Sequence, residues 1–245
     1  MIAPALLATG PSGGPVWRIV ESQEHAATRS ITASAEEQSR LEALLEANKP
    51  AYLPGTERLH WLLKTPFRYP PLRHGSRFGS PYQPGILYAS RELFTAMTEA
   101  AVYLWLFRGG PAEPGPLRQI EDSRTALRFN LAHPESSDLT RPALKRYRKR
   151  ISDPGSYEFS QSLGDALRDA GAGMIWFRSA RAGDGINCAV LDPKAINRRS
   201  RPRQEQWQFV LDASACWWGH PGRESFEIPY ESVADASGRI PHPAL

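Results

Sequence analysis

The chain reads as an α+β protein of mixed small sheets with flanking helices. Three observations carry that reading. Helical patterns stand at 34–48, 91–107 and 161–170; short apolar runs at 17–20, 86–89, 174–177, 186–191, 207–211 and 226–230 read as strands; and the two kinds do not alternate as regular βα units. The 22 prolines and 19 glycines add many short elements and ordered loops. In order, residues 1–14 are small, Gly/Pro-rich and expected to be mobile, and Trp17-Arg18-Ile19-Val20 is a first short strand. SAEEQSRLEALLEAN is a helix that Ser34 caps, acids favour in the first turn and Pro50 stops. A second short helix is expected over Thr56 to Leu63, closed by Pro66. Ile86-Leu87-Tyr88-Ala89 is a compact strand, and Ser90 is placed to cap the helix Arg91 to Phe107. Gln161 to Ala170 forms a further helix ended by Gly171 or Gly173, and RAGDG turns the strands on either side of it into a hairpin. The division this implies is a strand and helical extension over 1–64, then a main domain over 65–245 with a basic insert near 108–160.

At 245 residues the chain can bury a substantial core, and its net charge of +4 suits an anionic small molecule, an acidic partner or nucleic acid without choosing among them. Cys188 and Cys216 lack metal-site spacing and read as buried free thiols, so neither a metal site nor a disulfide framework is expected. The first residues lack the charged start of a signal peptide, and no run approaches the roughly 18 apolar residues of a membrane span. A cytoplasmic protein is expected.

Chemistry concentrates in residues 66–99. Arg68 and Arg77 flank a rigid Pro/Gly loop, and arginine forks match phosphate oxygens two at a time, although either residue can equally be a surface arginine. Tyr88 ends a strand just before a helix, where it serves as a ligand-stacking ring or as an ordinary core tyrosine. Glu99 lies beside Val102 and Leu106 on a second apolar face of its helix, away from Leu93, Phe94, Met97, Ala100, Ala101 and Leu104. A carboxylate there is partly desolvated, which is costly without a partner or a task. Ser179 follows the strand MIWFR; with no G-x-S-x-G elbow around it, it reads as a hydrogen-bonding group and not a nucleophile. Such an Arg/Tyr/Glu/Ser set can hold a dinucleotide and act on the sugar carbon of a glycosidic bond. The basic runs 140–150 and 198–203 leave open a nucleic-acid-binding or RNA-cleaving protein, without any recognition helix, RNP or zinc-finger pattern. A non-catalytic nucleotide-sensing module is a third reading.

The motifs FRYPP, GSRF, ILYAS, TAMTEAAVYLW and FRSAR with GINCAVLDP, in that order over roughly residues 65–195, resemble the RES-domain proteins, the toxins of Xre–RES toxin–antitoxin systems. The equal spacing of eleven residues from Arg77 to Tyr88 and from Tyr88 to Glu99 supports the likeness. The resemblance implies a fold like that of the diphtheria-toxin-like ADP-ribosyltransferases, NAD+ as substrate, no metal, and growth inhibition by NAD+ cleavage. It implies a cognate Xre-like antitoxin that blocks the active site, contact with nucleic acid only through that antitoxin, and, where the acceptor is a protein, a target for ADP-ribose. By position Arg77, Glu99 and Ser179 match the family's arginine, glutamate and serine, and Tyr88 its tyrosine; Tyr69 and Asn187 join Arg68 as NAD+-binding residues. Arg68 and Arg18 compete for the role of second arginine. The acceptor of ADP-ribose (protein, water or phosphate) stays open, because the stretch between Glu99 and Ser179 and the N-terminal extension depart from the family pattern.

Overall fold

The computed structural model describes residues 2–22, 31–109, 115–197 and 201–243. Eight strands form one mixed sheet: β1 (Thr9–Glu21), β2 (Leu87–Ser90), β3 (Ile120–Asp138), β4 (Met174–Arg178), β5 (Ile186–Val190), β6 (Arg203–Leu211), β7 (Ala215–Gly219) and β8 (Phe226–Pro229). Their order is β1-β2-β5-β4-β3-β6-β7-β8, with a further pairing of β1 to β3. That pairing joins the ends of β1-β2-β5-β4-β3 into a closed ring of five strands, from which β6, β7 and β8 continue outward. All neighbours are antiparallel except β3 and β4.

The helices are α1 (Ala35–Ala47), α2 (Trp61–Lys64), α3 (Leu93–Arg108), α4 (Arg148–Ile151) and α5 (Glu158–Asp169). Ser34 caps α1 by accepting from the Glu37 amide, while the Glu37 carboxylate accepts from the Ala33 amide, a reciprocal arrangement that satisfies otherwise orphaned donors. The helix nevertheless buries none of its residues. Gly171, at φ +82°, ends α5 with its amide on the Arg168 carbonyl.

Strand alternation sorts the core into layers. Leu87, Ala89, Met174, Trp176, Cys188 and Val190 pack on one face of the ring with Leu127, Phe129 and the 59–67 segment. Ile175, Phe177 and Ala189 point the other way, against Phe78, Leu163 and Leu167. Because both faces are covered, these strands read as unbroken apolar runs. A third cluster seats Met97, Ala101, Val102 and Trp105 of α3 on Trp207, Phe209, Trp218 and Ile228 of β6 to β8, and the Trp105 indole donates to the Asp212 carbonyl at 2.7 Å. Cys188 and Cys216 are buried free thiols, their pKa values raised by burial. No helix among the described residues is long and apolar enough to cross a membrane.

Several expectations are corrected. Residues 9–14 are not loose but begin β1, thirteen residues long and paired along its length with β3. The second short helix starts at Trp61, with His60 as its cap, and Pro66 sits inside the 3-10 turn Thr65–Phe67 that extends it. Ser90 is a strand residue, and Glu92 occupies the N-cap of α3. The region near 108–160 is no appended insert, since 120–138 is the nineteen-residue strand at the centre of the sheet. Its alternating segment, with Leu127, Phe129 and Leu131 inward and Arg128 and Asn130 outward, is disguised by polar ends and by Pro134, a residue type that argues against a strand. Phe94 is 43% exposed, because the buried stripe of α3 runs through Met97, Ala101 and Trp105 instead.

Gly164 in α5 shows how closely the helix approaches the loop at 75–79. A Cβ at this position would overlap the Phe78 carbonyl. Alanine normally favours a helix by roughly 1 kcal/mol over glycine. Here Gly164→Ala is expected to lower stability by about 1–3 kcal/mol, read as a fall in the midpoint of urea unfolding.

Candidate active site

A cleft of about 570 Å³ opens between β1, β2, the N-terminal half of α3 and the loop 66–79, a size within the roughly 300–1,000 Å³ of small-molecule sites. At its floor lies Glu99. One carboxylate oxygen, Oε1, accepts from the Asn187 side-chain amide at 2.6 Å and from the Ser179 hydroxyl at 2.7 Å. Asn187 sits on β5 and is itself set by the Ser90 hydroxyl, which donates to its carbonyl oxygen at 2.6 Å. Ser179 follows β4, and its oxygen also accepts from the Arg181 and Ala182 amides. The β4–β5 hairpin thus orients the carboxylate carried by α3. Charge-assisted bonds of this length are the strong ones. No hydrogen bond to Oε2 occurs among the described residues.

Three arginines line the same cleft. Arg18 on β1 donates from Nη1 to the Tyr88 carbonyl at 2.7 Å, while its buried Nε has no partner. Part of the side chain faces the cleft, but the guanidinium lies deep, and burial pushes its pKa down to about 10. Arg77 donates from Nη1 to the carbonyls of Ile151 and Asp153 and lies 4.9 Å above the Tyr157 ring. Arg181 donates from Nη2 to the carbonyls of Pro154 and Pro241; burial lowers its pKa and Glu99 opposes that shift. Among the described residues none of the three is in ion-pairing distance of a carboxylate. Three cations and one carboxylate thus share one cleft, and partly buried charge without an ion-pair partner is costly. An anionic ligand relieves that cost.

The structure brings together most of the residues expected from sequence and redistributes their roles. Arg77, Tyr88, Glu99, Asn187 and Tyr69 all line the cleft. The Tyr88 hydroxyl, pushed up to about 12 by burial, donates to Ser76 and accepts from the Phe78 amide. Its hydroxyl thus holds the loop that carries Arg77, while the residue lines the cleft. Gln161 of α5 fastens the same loop through the carbonyls of His74 and Ser76. Ser179 stands behind Glu99, outside the cleft lining, with its hydroxyl already committed. Arg68 does not reach the cleft at all: it is bonded to Glu46 at 2.7 Å and to the Pro50 carbonyl, and it lies over the Tyr52 ring. It tethers α1 to the body, and Arg18 takes the place at the cleft.

Sequence reading missed Arg181, Tyr103, Tyr157, His74 and His242, which also line the cleft. Tyr103 had a legible signal, one helical turn after Glu99 on the same face. The histidines had none, because they arrive from distant segments. Within the basic run, Arg141 donates to the carbonyls of Asp138 and Ala5, Arg148 pairs with Asp184, and Arg150 lies over Phe159. Those cations hold the chain to itself, which weakens the nucleic-acid reading. Arg198, Arg199 and Ser200 of the second run lie outside the described residues. No group of three or more metal-ligating side chains occurs among the described residues.

An arginine-lined cleft built around a serine-held glutamate has the three residue types for which one family is named. Residues 52–212, more than half of the chain, match the RES domain family model, and the chain belongs to that family. No curated protein matches it. Among solved structures it is similar to a chain in the crystal structure of the M. tuberculosis MbcT–MbcA toxin–antitoxin complex, at 12% identity and a TM-score of 0.47, over 90% of this chain and 86% of that one.

The cleft predicts an acid sensitivity. Burial and the neighbouring Arg181, His74 and Arg77 lower the His242 pKa from 6.5 to about 4. Between those values the unfolded chain binds a proton that the folded one does not, so stability falls as the pH drops from about 6.5 to about 4. His242→Phe is expected to flatten that part of the melting-temperature profile, measured by scanning fluorimetry across pH 4–7.

Proposed function

We propose that the protein cleaves the nicotinamide–ribose bond of NAD+ as the toxin of a toxin–antitoxin pair. The observation that carries this reading is the oriented Glu99 carboxylate in a cleft also lined by three arginines held by backbone carbonyls and not by ion pairs. The diphosphate of NAD+ supplies the missing negative charge against Arg18, Arg77 and Arg181, whose remaining N–H groups point to no carboxylate. Oε2 of Glu99 bonds a hydroxyl of the nicotinamide ribose and stabilises the positive charge that grows at C1′ as nicotinamide leaves. Ser179 and Asn187 keep the carboxylate in place during that change. The acceptor of ADP-ribose is water, phosphate or a protein side chain. Membership of the RES domain family supports the same reading.

An active enzyme of this kind exhausts a cofactor shared by its own cell, so it needs an inhibitor. On this reading an Xre-like antitoxin occupies the cleft mouth, where Tyr69 and Leu72 are exposed, and excludes substrate by competition.

Glu99→Gln keeps both hydrogen bonds to Oε1 and removes the charge. It is expected to reduce nicotinamide release, followed by chromatography, about a hundredfold, as for loss of one preorganised electrostatic contact of about 3 kcal/mol. Release at the parent rate by the folded variant refutes the role. The two competing arginines separate by a second comparison. Arg18→Met is expected to raise KM for NAD+ about tenfold or more, the cost of hydrogen bonds to a charged group, whereas Arg68→Met leaves KM near the parent value and loosens α1.

A further inference from the structure

Beyond the residues matched to the family, the chain returns to the cleft from its far end. After β8 the backbone makes the 3-10 turn Tyr230–Ser232, and a turn held by the Asp235 amide on the Arg239 carbonyl directs it back toward α3. Val233 and Ile240, both buried, pin this strap into the cluster shared by Trp105, Trp218 and Ile228. The next two residues enter the cleft. The Pro241 carbonyl accepts from Nη2 of Arg181 at 2.5 Å. His242 is 8% exposed, and its ring meets three others edge-on: Tyr103 at 5.5 Å, His74 at 5.7 Å and Tyr157 at 6.0 Å. Its Nε2 lies 3.5 Å from the Tyr157 hydroxyl.

These contacts link separate parts of the cleft wall. Tyr103 lies one turn beyond Glu99 on α3, His74 is in the loop before Arg77, and Tyr157 is the ring under the Arg77 guanidinium. The charged and titratable groups around His242 are Arg77, Arg181, His74, Tyr103 and Tyr157. In that cationic company a neutral imidazole adds no repulsion, and it keeps one N–H donor and one acceptor nitrogen. Family membership rests on residues 52–212, so this wall is a feature of the present chain outside that match.

We propose that the strap Ile240–Pro241–His242 is a substrate-positioning element of the cleft, in which Pro241 sets the Arg181 guanidinium and His242 closes the end that holds the ligand's diphosphate. The proposal rests on the reading of the cleft as a dinucleotide site. Without the strap, Arg181 keeps only the Pro154 carbonyl as an orienting acceptor, and the diphosphate end opens to water.

The test uses the full chain, a truncation after Ile240 that retains the buried anchor, and the point variants His242→Ala and His242→Gln. Affinity for ADP-ribose is measured by calorimetry, and kcat and KM for NAD+ from nicotinamide release. Truncation and His242→Ala are expected to raise the ADP-ribose Kd and the NAD+ KM at least tenfold, with kcat within about threefold and His242→Gln recovering part of the affinity. If the truncated chain does not fold, His242→Ala decides. Parent-like Kd and KM in a folded variant, or a lowered melting temperature with no change in Kd well below it, overturn the proposal. A parent protein that binds ADP-ribose but releases no nicotinamide overturns the enzymatic reading alone, and the affinities still judge the strap. A parent that does not bind ADP-ribose overturns both.

Discussion

Twelve residue pairs join β1 to β3, and the closed ring depends on them. β3 is hydrogen-bonded on both edges, to β1 along one and to β6 and then β4 along the other. Because β1 also meets β2 at Trp17 and Ser90, it closes the circuit that would otherwise leave two exposed strand edges. The ring has a direct consequence for the cleft. Arg18 follows the residue that pairs with Ser90, so its guanidinium reaches the Tyr88 carbonyl and stands beside α3. Closing this circuit brings together segments more than a hundred residues apart, and the entropy of that closure is recovered only when the pairing completes.

Within the ring, the hairpin β4–β5 sets the position of the Glu99 carboxylate. Its two strands are apolar on both faces and pack into separate layers, so their ends are fixed from either side. Ser179 and Asn187 are therefore positioned by the scaffold, and the Glu99 carboxylate inherits that order. Preorganisation of this type lets a charge act on a transition state without first reorienting. The Tyr88 hydroxyl and Gln161 do the same for the loop bearing Arg77. Neither of them needs to touch a substrate to matter.

Local signals in the sequence were legible where a single segment determined the outcome. The capped helix at α1, the apolar hairpin, and Glu99 on a covered face of α3 follow from periodicity and capping alone. What failed was long-range. β3 hides its alternation under a polar composition and a proline, because much of its stability comes from partners on both edges and not from its own side chains. The site behaved similarly. Arg77, Glu99, Ser179 and Asn187 stood in motifs, yet the commitment of the serine to the carboxylate needed three dimensions. His242 lies in a short tail with no periodic pattern, and only the fold of the strap reveals where it goes.

The arginines show why residue type alone misled. Arg68 has the family-like motif, the rigid loop and the burial expected of a phosphate clamp, but its guanidinium ends on Glu46. Arg124 ends on Asp122, Arg148 on Asp184 and Arg223 on Glu205, each charge matched by one of opposite sign. Such pairs are already neutralised, and taking up a phosphate means breaking one contact to make another. Arg18, Arg77 and Arg181 differ in being held by backbone carbonyls. A carbonyl orients the fork but leaves its full positive charge in place, and burial denies that charge most of its hydration. On the proposed reading, a ligand with two adjacent negative groups supplies the charge that no ion pair gives those three cations. Partner chemistry, more than sequence position, separates the arginines ion-paired into the fold from those that line the cleft.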